Sequence, residues 1–258
     1  IIILPNEKSV QQFHIYLGPQ DLKQINLVNS EWAAIIHYGT FDFISHLLLK
    51  LLEFFYGLVH NWGLAIIILS IAVYFLLYPL TLKQMRSMKE MQALQPRIEQ
   101  LRNEYKNNPQ RLNKEILELY KEHKVNPLGG CLPLLLQMPI FFALYQALMR
   151  SVALKGAKFL WISDLAQPDR LGLPVALPFL GNTINILPIL MMIGMFVQQK
   201  LSTASATGAH NEQQKIMLIV FPLMFGVIFY GMPAGLVLYW LINSILMLIY
   251  QVRISRPR

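Results

Sequence analysis

Long stretches without a charged side chain dominate this sequence and constrain what it can fold into. Only 14% of the residues are charged, whereas an ordinary soluble domain carries about 25%, and the deficit is concentrated in these stretches. A helix needs about 20 apolar residues to cross the hydrocarbon core of a bilayer. The sequence therefore predicts an all-α integral membrane protein with five core transmembrane helices, which we place at 61–82, 127–150, 180–200, 215–231 and 234–252.

Positive charge gathers in the segments that connect these helices. The net charge is +8, and ten Lys or Arg residues lie within 83–126. Basic residues also flank the segment 201–214 and fill the tail 253–258. Five spans put these three segments on one side of the membrane, and the positive-inside rule makes that side cytoplasmic. The sequence thus predicts a multi-pass protein with a cytoplasmic C-terminus and an outward-facing loop at 151–179. We assign the charge to topology and to contact with anionic lipids, not to sequence-specific nucleic acid binding.

The N-terminal sixty residues have a different pattern. Residues 1–40 mix short apolar runs with Pro and Gly, and we interpret them as the end of an extracytoplasmic (periplasmic) domain with one or two strands. Because the chain begins with Ile and shows no signal-peptide pattern, we expect a longer protein upstream. Residues 41–60 place apolar side chains at helical spacing between charged ones, which is typical of an interfacial amphipathic helix. A soluble amphipathic helix is the alternative.

The charged segment 83–126 contains two apolar stripes at helical spacing. The first includes Met85, Met88 and Met91, and the second follows a break at 107–109. Two amphipathic helices folded against each other satisfy both stripes, so we predict a cytoplasmic helical hairpin. The methionines have two interpretations: they only hold the hairpin together, or they contact apolar clients and partners, since methionine repacks easily.

The chemistry that most enzymes need is missing from the predicted spans. Their uncharged runs contain no His, and the chain has neither an HExxH motif nor a Gly-rich phosphate loop. Cys131 is the only cysteine, which excludes an intrachain disulfide. We therefore expect no enzyme and neither a cofactor nor a metal. Transporters usually carry charged residues at depth, and the uncharged runs have none, which weakens a transporter or channel as an alternative class. A scaffold for other subunits is another alternative.

Neutral polar side chains are what remains inside the spans. Interhelical hydrogen bonds, worth roughly 0.6 kcal/mol each on average, are one interpretation, and a shared wet cleft is the other. The fourth span favours the cleft, because its run 216–230 has 15 nonpolar or aromatic residues and reaches only about 22 Å. A thinned bilayer beside such a helix would shorten the path for a polar segment. The polar residues are Ser70, Tyr74, Tyr78, Gln137, Tyr145, Gln146, Asn182, Thr183, Asn185, Gln198, Gln199, Tyr239, Trp240, Asn243 and Ser244.

Six motifs follow one another along the chain. They are NWGLAIIIL at 61–69, YPLT at 78–81, MQALQP at 91–96, VNPLGGCLPLLLQMPIFFALY at 125–145, QQKIM at 213–217 and PAGLVLYW at 233–240. In this order, with the charged hairpin between them, they resemble the YidC family of membrane-protein insertases, relatives of the insertases of mitochondria and chloroplasts. The resemblance covers nearly the whole chain, and the stretch 125–145 is its most specific part.

The resemblance implies five core helices around a groove that opens to cytoplasm and lipid and is closed toward the outside. It implies Gln137 and Trp240 as groove-lining residues, and Ser70 where the family often has a small hydroxyl residue. Tyr74 stands where the family commonly has an arginine, so we expect a neutral groove here. With Asn243 added from the polar set, these residues form the predicted client groove.

The expected function follows from the same resemblance. It is a bacterial inner-membrane insertase and folding chaperone whose clients are nascent membrane proteins. By family resemblance its partners are the ribosome and the Sec translocon. It is expected to insert clients either alone or together with the translocon.

Overall fold

Helices account for most of the chain in the computed structural model, which describes residues 10, 12, 15–18, 22–28, 32, 40–125, 132–177, 181–204 and 212–255. The chain divides into two units, Ile1–His37 and Tyr38–Arg258. The helices in order are α1 (Leu22–Val28), α2 (Asp42–Val59), α3 (Trp62–Ala93), α4 (Gln95–Glu104), α5 (Pro109–Glu122), α6 (Leu132–Arg150), α7 (Ile186–Ala204), α8 (Glu212–Tyr230) and α9 (Ala234–Ser255).

A mostly helical fold is therefore confirmed, with two short strands between α6 and α7: β1 (Leu171–Leu177) and β2 (Gly181–Ile184). Helix α1 belongs to the first unit, and the elements from α2 onward belong to the second. The strands predicted within 1–40 fall mainly on residues outside the described ones, as does the predicted start of the second span at 127.

Helix α2 packs one face against two other helices of the second unit. Ser45, Leu48 and Leu52 are buried, and the Ser45 hydroxyl donates a hydrogen bond to the Ala143 carbonyl of α6 at 3.0 Å. Much of the rest of its surface is apolar but exposed. An exposed apolar face of this kind is what a helix at a lipid surface presents. The large exposed side chains are Phe43, Leu47, Phe54 and Leu58.

The first predicted span and the beginning of the predicted hairpin form one continuous helix. Asn61 is the N-cap of α3, since its side-chain oxygen accepts the Leu64 N–H at 3.1 Å. The helix then continues to Ala93, a length of about 48 Å. The predicted boundary at 82–83 marks the end of the apolar residues, not the end of a helix, because Lys, Gln, Met and Arg are all good helix formers.

The chain turns back between α4 and α5. Asn108 caps α5, with its side-chain oxygen accepting the Arg111 N–H at 3.1 Å, and Pro109 occupies the first turn. The two helices pack through an apolar cluster of buried Leu94, Ile98, Leu119 and Val125.

The region before α7 differs from the prediction. The predicted third span starts at 180, but β2 occupies Gly181–Ile184 and α7 begins at Ile186. Asn182 and Thr183 therefore lie on a strand, where Thr183 pairs with Gly172 of β1. The uncharged run that predicted the third span therefore includes a strand as well as most of the helix α7.

A buried carboxylate sets the start of α7. Asp169 is 2% exposed, and its Oδ2 accepts the N–H groups of Ile186 at 2.7 Å and Leu187 at 2.9 Å. Pro188 has no N–H to satisfy. The first turn of α7 is thus capped by a side chain 17 residues upstream, which hydropathy cannot reveal.

Helix α9 lies at the centre of the second unit. Every residue from Ala234 to Tyr239 is buried, and the helix contacts α3, α6 and α7. Its first N–H groups are capped by the loop after α6: Ala234 donates to the Gln167 carbonyl at 2.8 Å and Gly235 to the Leu165 carbonyl at 2.9 Å. Residues 231–233 form the short connection between α8 and α9.

Among the described residues, two helices are long and apolar enough to cross a membrane, Trp62–Met91 and Ala234–Arg253. Two further apolar helices are shorter, Ile186–Leu201 and Leu218–Tyr230. The apolar part of α8 is therefore short.

We expect Gly63→Ala to destabilise the protein and Gly57→Ala to leave it as stable or more stable. A Cβ on Gly63 would collide with the ring of Phe159, whereas a Cβ on Gly57 would meet nothing within 4 Å. Overpacking costs about 1–3 kcal/mol, and alanine is favoured over glycine inside a helix by up to about 1 kcal/mol. Thermal unfolding in detergent should give a lower Tm for the first variant only. Equal Tm values for the two variants would contradict this packing.

Candidate functional site

A polar group joins α6 to α9 inside the otherwise apolar bundle. Gln137 Nε2 donates to the Tyr239 hydroxyl at 2.7 Å, and Asn243 Nδ2 donates to the Tyr239 carbonyl at 2.9 Å. Tyr239 is fully buried. The structure thus brings two predicted groove residues, Gln137 and Asn243, to one tyrosine, and we call the three residues the polar group.

Tyr239 is missing from the predicted groove, although it is one of the polar residues recognised within the spans. The only sequence pattern that favours Tyr239 as a groove residue is its position four residues before Asn243, which puts both residues on the same face of α9. Its partner Gln137 lies 102 residues away in sequence, so no local pattern could pair the two.

Trp240 lies in a cluster of aromatic rings from three helices. Its ring centroid is 5.5 Å from Phe141 of α6, 5.7 Å from Phe225 and 5.2 Å from Phe229 of α8. Edge-to-face contacts of this kind stabilise a pair by about 0.5–1.5 kcal/mol beyond area burial. We call these four residues the aromatic cluster. It fixes α8 against α6 and α9 next to the polar group, because Trp240 follows Tyr239 directly.

Ser70 is fully buried in α3. Its hydroxyl donates to the Ile66 carbonyl of its own helix at 2.7 Å. A hydroxyl bonded to the carbonyl four residues earlier is satisfied without any partner helix.

Tyr74 belongs to a second set of residues along α3. Its ring lies 6.2 Å from that of Tyr78, and Tyr78 in turn lies 5.6 Å from Tyr250 of α9. We call these three the tyrosine cluster. Tyr250 is eleven residues beyond Tyr239, or about 16 Å along α9, so the tyrosine cluster extends further toward the C-terminal end of α9 than the polar group does.

The structure describes the side chains of two of the three predicted hairpin methionines. Met91 packs against the apolar cluster of α4 and α5, as expected if it holds the hairpin together. Met85 is half-buried, and the side chain of Met88 lies outside the described ones. Within the described part of the chain, no group of three or more His, Cys, Asp or Glu side chains could hold a metal ion.

The bundle and its motifs identify the class of protein. The chain belongs to the 60Kd inner membrane protein family, whose model matches residues 54–258. This confirms the resemblance on which the sequence prediction rests.

Individual relatives agree. The membrane protein insertase YidC of Syntrophobacter fumaroxidans is 42% identical over 252 residues, which cover 97% of this chain and 45% of that protein. The protein of the same name from Geotalea daltonii is 41% identical, over 98% of this chain and 44% of its own length. A crystal structure of an active YidC insertase with its first transmembrane domain resolved is similar at a TM-score of 0.64 and 26% identity, covering 92% of this chain and 50% of that one. This chain thus spans about half the length of the relatives that it matches.

We expect Gln137→Leu and Tyr239→Phe to be coupled in stability. Each removes one end of the same hydrogen bond, so the double variant should lose less than the sum of the two single variants. The coupling free energy should be about 0.6 kcal/mol, and up to about 1.7 kcal/mol, by analogy with other membrane helices. Unfolding in mixed micelles measures it.

The matched control is Gln146→Leu, which makes the same change nine residues further along α6. Among the described residues, Gln146 Oε1 is buried without a hydrogen-bond partner. Its effect should add to that of Tyr239→Phe without coupling. Equal coupling for both glutamines would show that the bond to Tyr239 contributes nothing.

Proposed function

We propose that this chain is the membrane-embedded core of an insertase that moves nascent membrane proteins from the cytoplasm into the bacterial inner membrane. Family membership and the names of the relatives support this activity, and neither supports a transporter. The observation that carries the proposal is the polar group, which puts hydrogen-bonding side chains between α6 and α9 inside an apolar bundle.

In the proposed topology α3, α6, α7, α8 and α9 cross the membrane and α2 lies in its outer interface. The distribution of basic residues supports a cytoplasmic hairpin and C-terminus. The proposed segments are the extracytoplasmic 1–40 and 151–179, the interfacial 41–60, the spans near 61–82, 127–150, 180–200, 215–231 and 234–252, and the cytoplasmic 83–126, 201–214 and 253–258.

The polar group would lower the free energy of a client's hydrophilic segment at depth. A charged side chain at the bilayer centre costs about 2.5–3.5 kcal/mol even on the lenient insertion scale. Gln137 and Asn243 can exchange their present hydrogen bonds for bonds to a client backbone or to water. Ser70 and Trp240 are proposed to line the same groove. No covalent step and no nucleotide is needed.

A short path through the bilayer is the second part of the mechanism. Trp62 stacks on Tyr56 with ring centroids 4.0 Å apart at the start of α3, and the tyrosine cluster lies about midway along α3, near the end of its apolar residues. Trp and Tyr prefer the two interfaces of a membrane. Tyr78 lies sixteen residues beyond Trp62, or about 24 Å along α3, which is less than the roughly 30 Å of a typical hydrocarbon core.

The outer end of the bundle supports entry from the cytoplasm only. The loop after α6 caps α9 through the Leu165 and Gln167 carbonyls, and its Phe159 covers Gly63 of α3. The aromatic cluster adds a layer of packed rings beside the polar group. A client segment would therefore enter the groove from the cytoplasm while its apolar part stays in lipid.

Partners follow from the cytoplasmic surface. The basic hairpin is proposed to contact anionic lipids, and Met85, Met88 and Met91 to contact clients or partner proteins. The ribosome and the Sec translocon are proposed from the family resemblance, with Sec needed for only some clients.

We expect Gln137→Leu to slow insertion of a short two-helix client into proteoliposomes by about two- to ten-fold, the effect of losing one hydrogen bond worth roughly 0.5–1.5 kcal/mol. Gln146→Leu is the matched control and should insert the client at the unaltered rate. No insertion above empty liposomes by the wild-type chain would contradict the proposed activity, and equal rates for both variants would contradict the role of the polar group.

Photo-crosslinking tests the path directly. A crosslinker at Tyr74, Gln137 or Trp240 should capture a nascent chain that is still attached to the ribosome. The same group at Gln167, on the outer loop, should not capture it while the tether is short. Capture at Gln167 alone would place the client on the opposite side of the bundle.

A further inference from the structure

A tight turn in the loop after α6 presents two apolar side chains outward. Phe159 and Ile162 pair through two backbone hydrogen bonds of 2.9 Å and 2.8 Å and are both buried. Between them, Leu160 is 74% exposed and Trp161 is 38% exposed. The buried pair ties the turn to the protein, and the exposed pair forms its tip.

The backbone of the tip is strained in a way that packing does not explain. Leu160 has a φ of +52°, in the left-handed region that leucine rarely adopts. Glycine would adopt this conformation without strain, and the exposed leucine contributes little packing. A strained apolar residue at a surface indicates a role in contact with something outside the chain.

The indole of Trp161 is held in a fixed orientation. Its Nε1 donates to Asp169 Oδ2 at 3.3 Å, the same oxygen that caps Ile186 and Leu187 at the start of α7. The one polar atom of the side chain is therefore paired with the protein. What the tip exposes is the apolar part of the ring beside Leu160.

The turn lies at the level where α3 begins. The ring of Phe159 covers Gly63, the residue after Trp62, and Trp62 stacks on Tyr56 of α2. Two exposed lysines precede the tip, Lys155 and Lys158. An aliphatic residue, a tryptophan and lysines together are the composition of segments that bind the interface of anionic bilayers.

We propose that the Leu160–Trp161 tip is a lipid anchor that dips into the outer leaflet, with Lys155 and Lys158 at the phosphate groups of anionic lipids. The anchor seats the loop over the outer end of the bundle and keeps its caps on α7 and α9 in place. It rests on the membrane placement proposed above, but not on the insertase activity. Lysine beside an apolar tip favours lipid over a protein occupant.

Depth measurement tests the anchor. In a Cys131→Ser background, Leu160→Cys is labelled with an environment-sensitive fluorophore and reconstituted in vesicles of phosphatidylcholine and phosphatidylglycerol, with or without brominated lipid. Two controls are labelled in the same way: Phe75→Cys, exposed on α3, and Gln167→Cys, exposed on the same loop. Bromine should quench the label at 75 strongly, the label at 160 clearly, and the label at 167 hardly at all.

Three other results would overturn the anchor. A label at 160 that behaves like the one at 167, while 75 is quenched, places the tip in water. A label at 160 with blue-shifted emission that bromine does not quench places it against protein. An unquenched label at 75 would show that this part of α3 does not lie in the membrane. That result would contradict the proposed membrane placement and therefore the anchor.

A glycine variant separates anchoring from folding. Leu160→Gly relaxes the backbone, so its Tm in detergent should equal or exceed that of the wild type. In vesicles its Tm should fall below the wild-type value, because the lipid contact is lost. Lys155→Gln with Lys158→Gln should reduce the gain in Tm that phosphatidylglycerol gives the wild type, and the part that remains comes from the basic hairpin. A lower Tm in detergent and in vesicles alike would mean that Leu160 serves packing only.

Discussion

The need to satisfy backbone groups at helix ends within a membrane is the constraint on which the rest of this structure depends. At one end of the bundle, residues of the connection between α6 and α7 satisfy such groups for three helices. Asp169 caps the start of α7, and the Leu165 and Gln167 carbonyls cap α9. Asn185 donates to the Tyr230 carbonyl at 2.6 Å and so caps the end of α8. This connection is therefore part of the bundle, because the helices require its hydrogen bonds.

The polar group between α6 and α9 is proposed to have the opposite property, because its side chains would change partners. Gln137 donates to Tyr239 in this structure, and in the proposed mechanism a client exchanges that hydrogen bond for another of similar free energy. Such an exchange would lower a barrier without holding the client tightly. This suits a protein that must release what it inserts.

How much the sequence could predict depends on how local each feature is. Apolar runs predicted the helices, and the spacing of motifs predicted the family, because both are properties of contiguous residues. The pairing of Gln137 with Tyr239 and the capping of Ile186 by Asp169 could not be predicted, since they join residues 102 and 17 positions apart. The same limit explains the late start of α7. The uncharged run continues through β2, and a distant carboxylate determines where the helix begins.

The proposed neutral groove has a consequence for what would drive insertion. With Tyr74 at the position where the resemblance implies an arginine, an acidic client segment would find no opposite charge at that depth and would gain no ion pair there. The cost of a charged group at the bilayer centre, about 2.5–3.5 kcal/mol, must then be reduced by geometry. A path of about 24 Å along α3 instead of roughly 30 Å leaves less hydrocarbon to cross, whatever the sign of the charge. We therefore expect this chain to select clients with few charges. The length of the path and the neutral hydrogen bonds of the polar group should matter more for this selection than the sign of the charges.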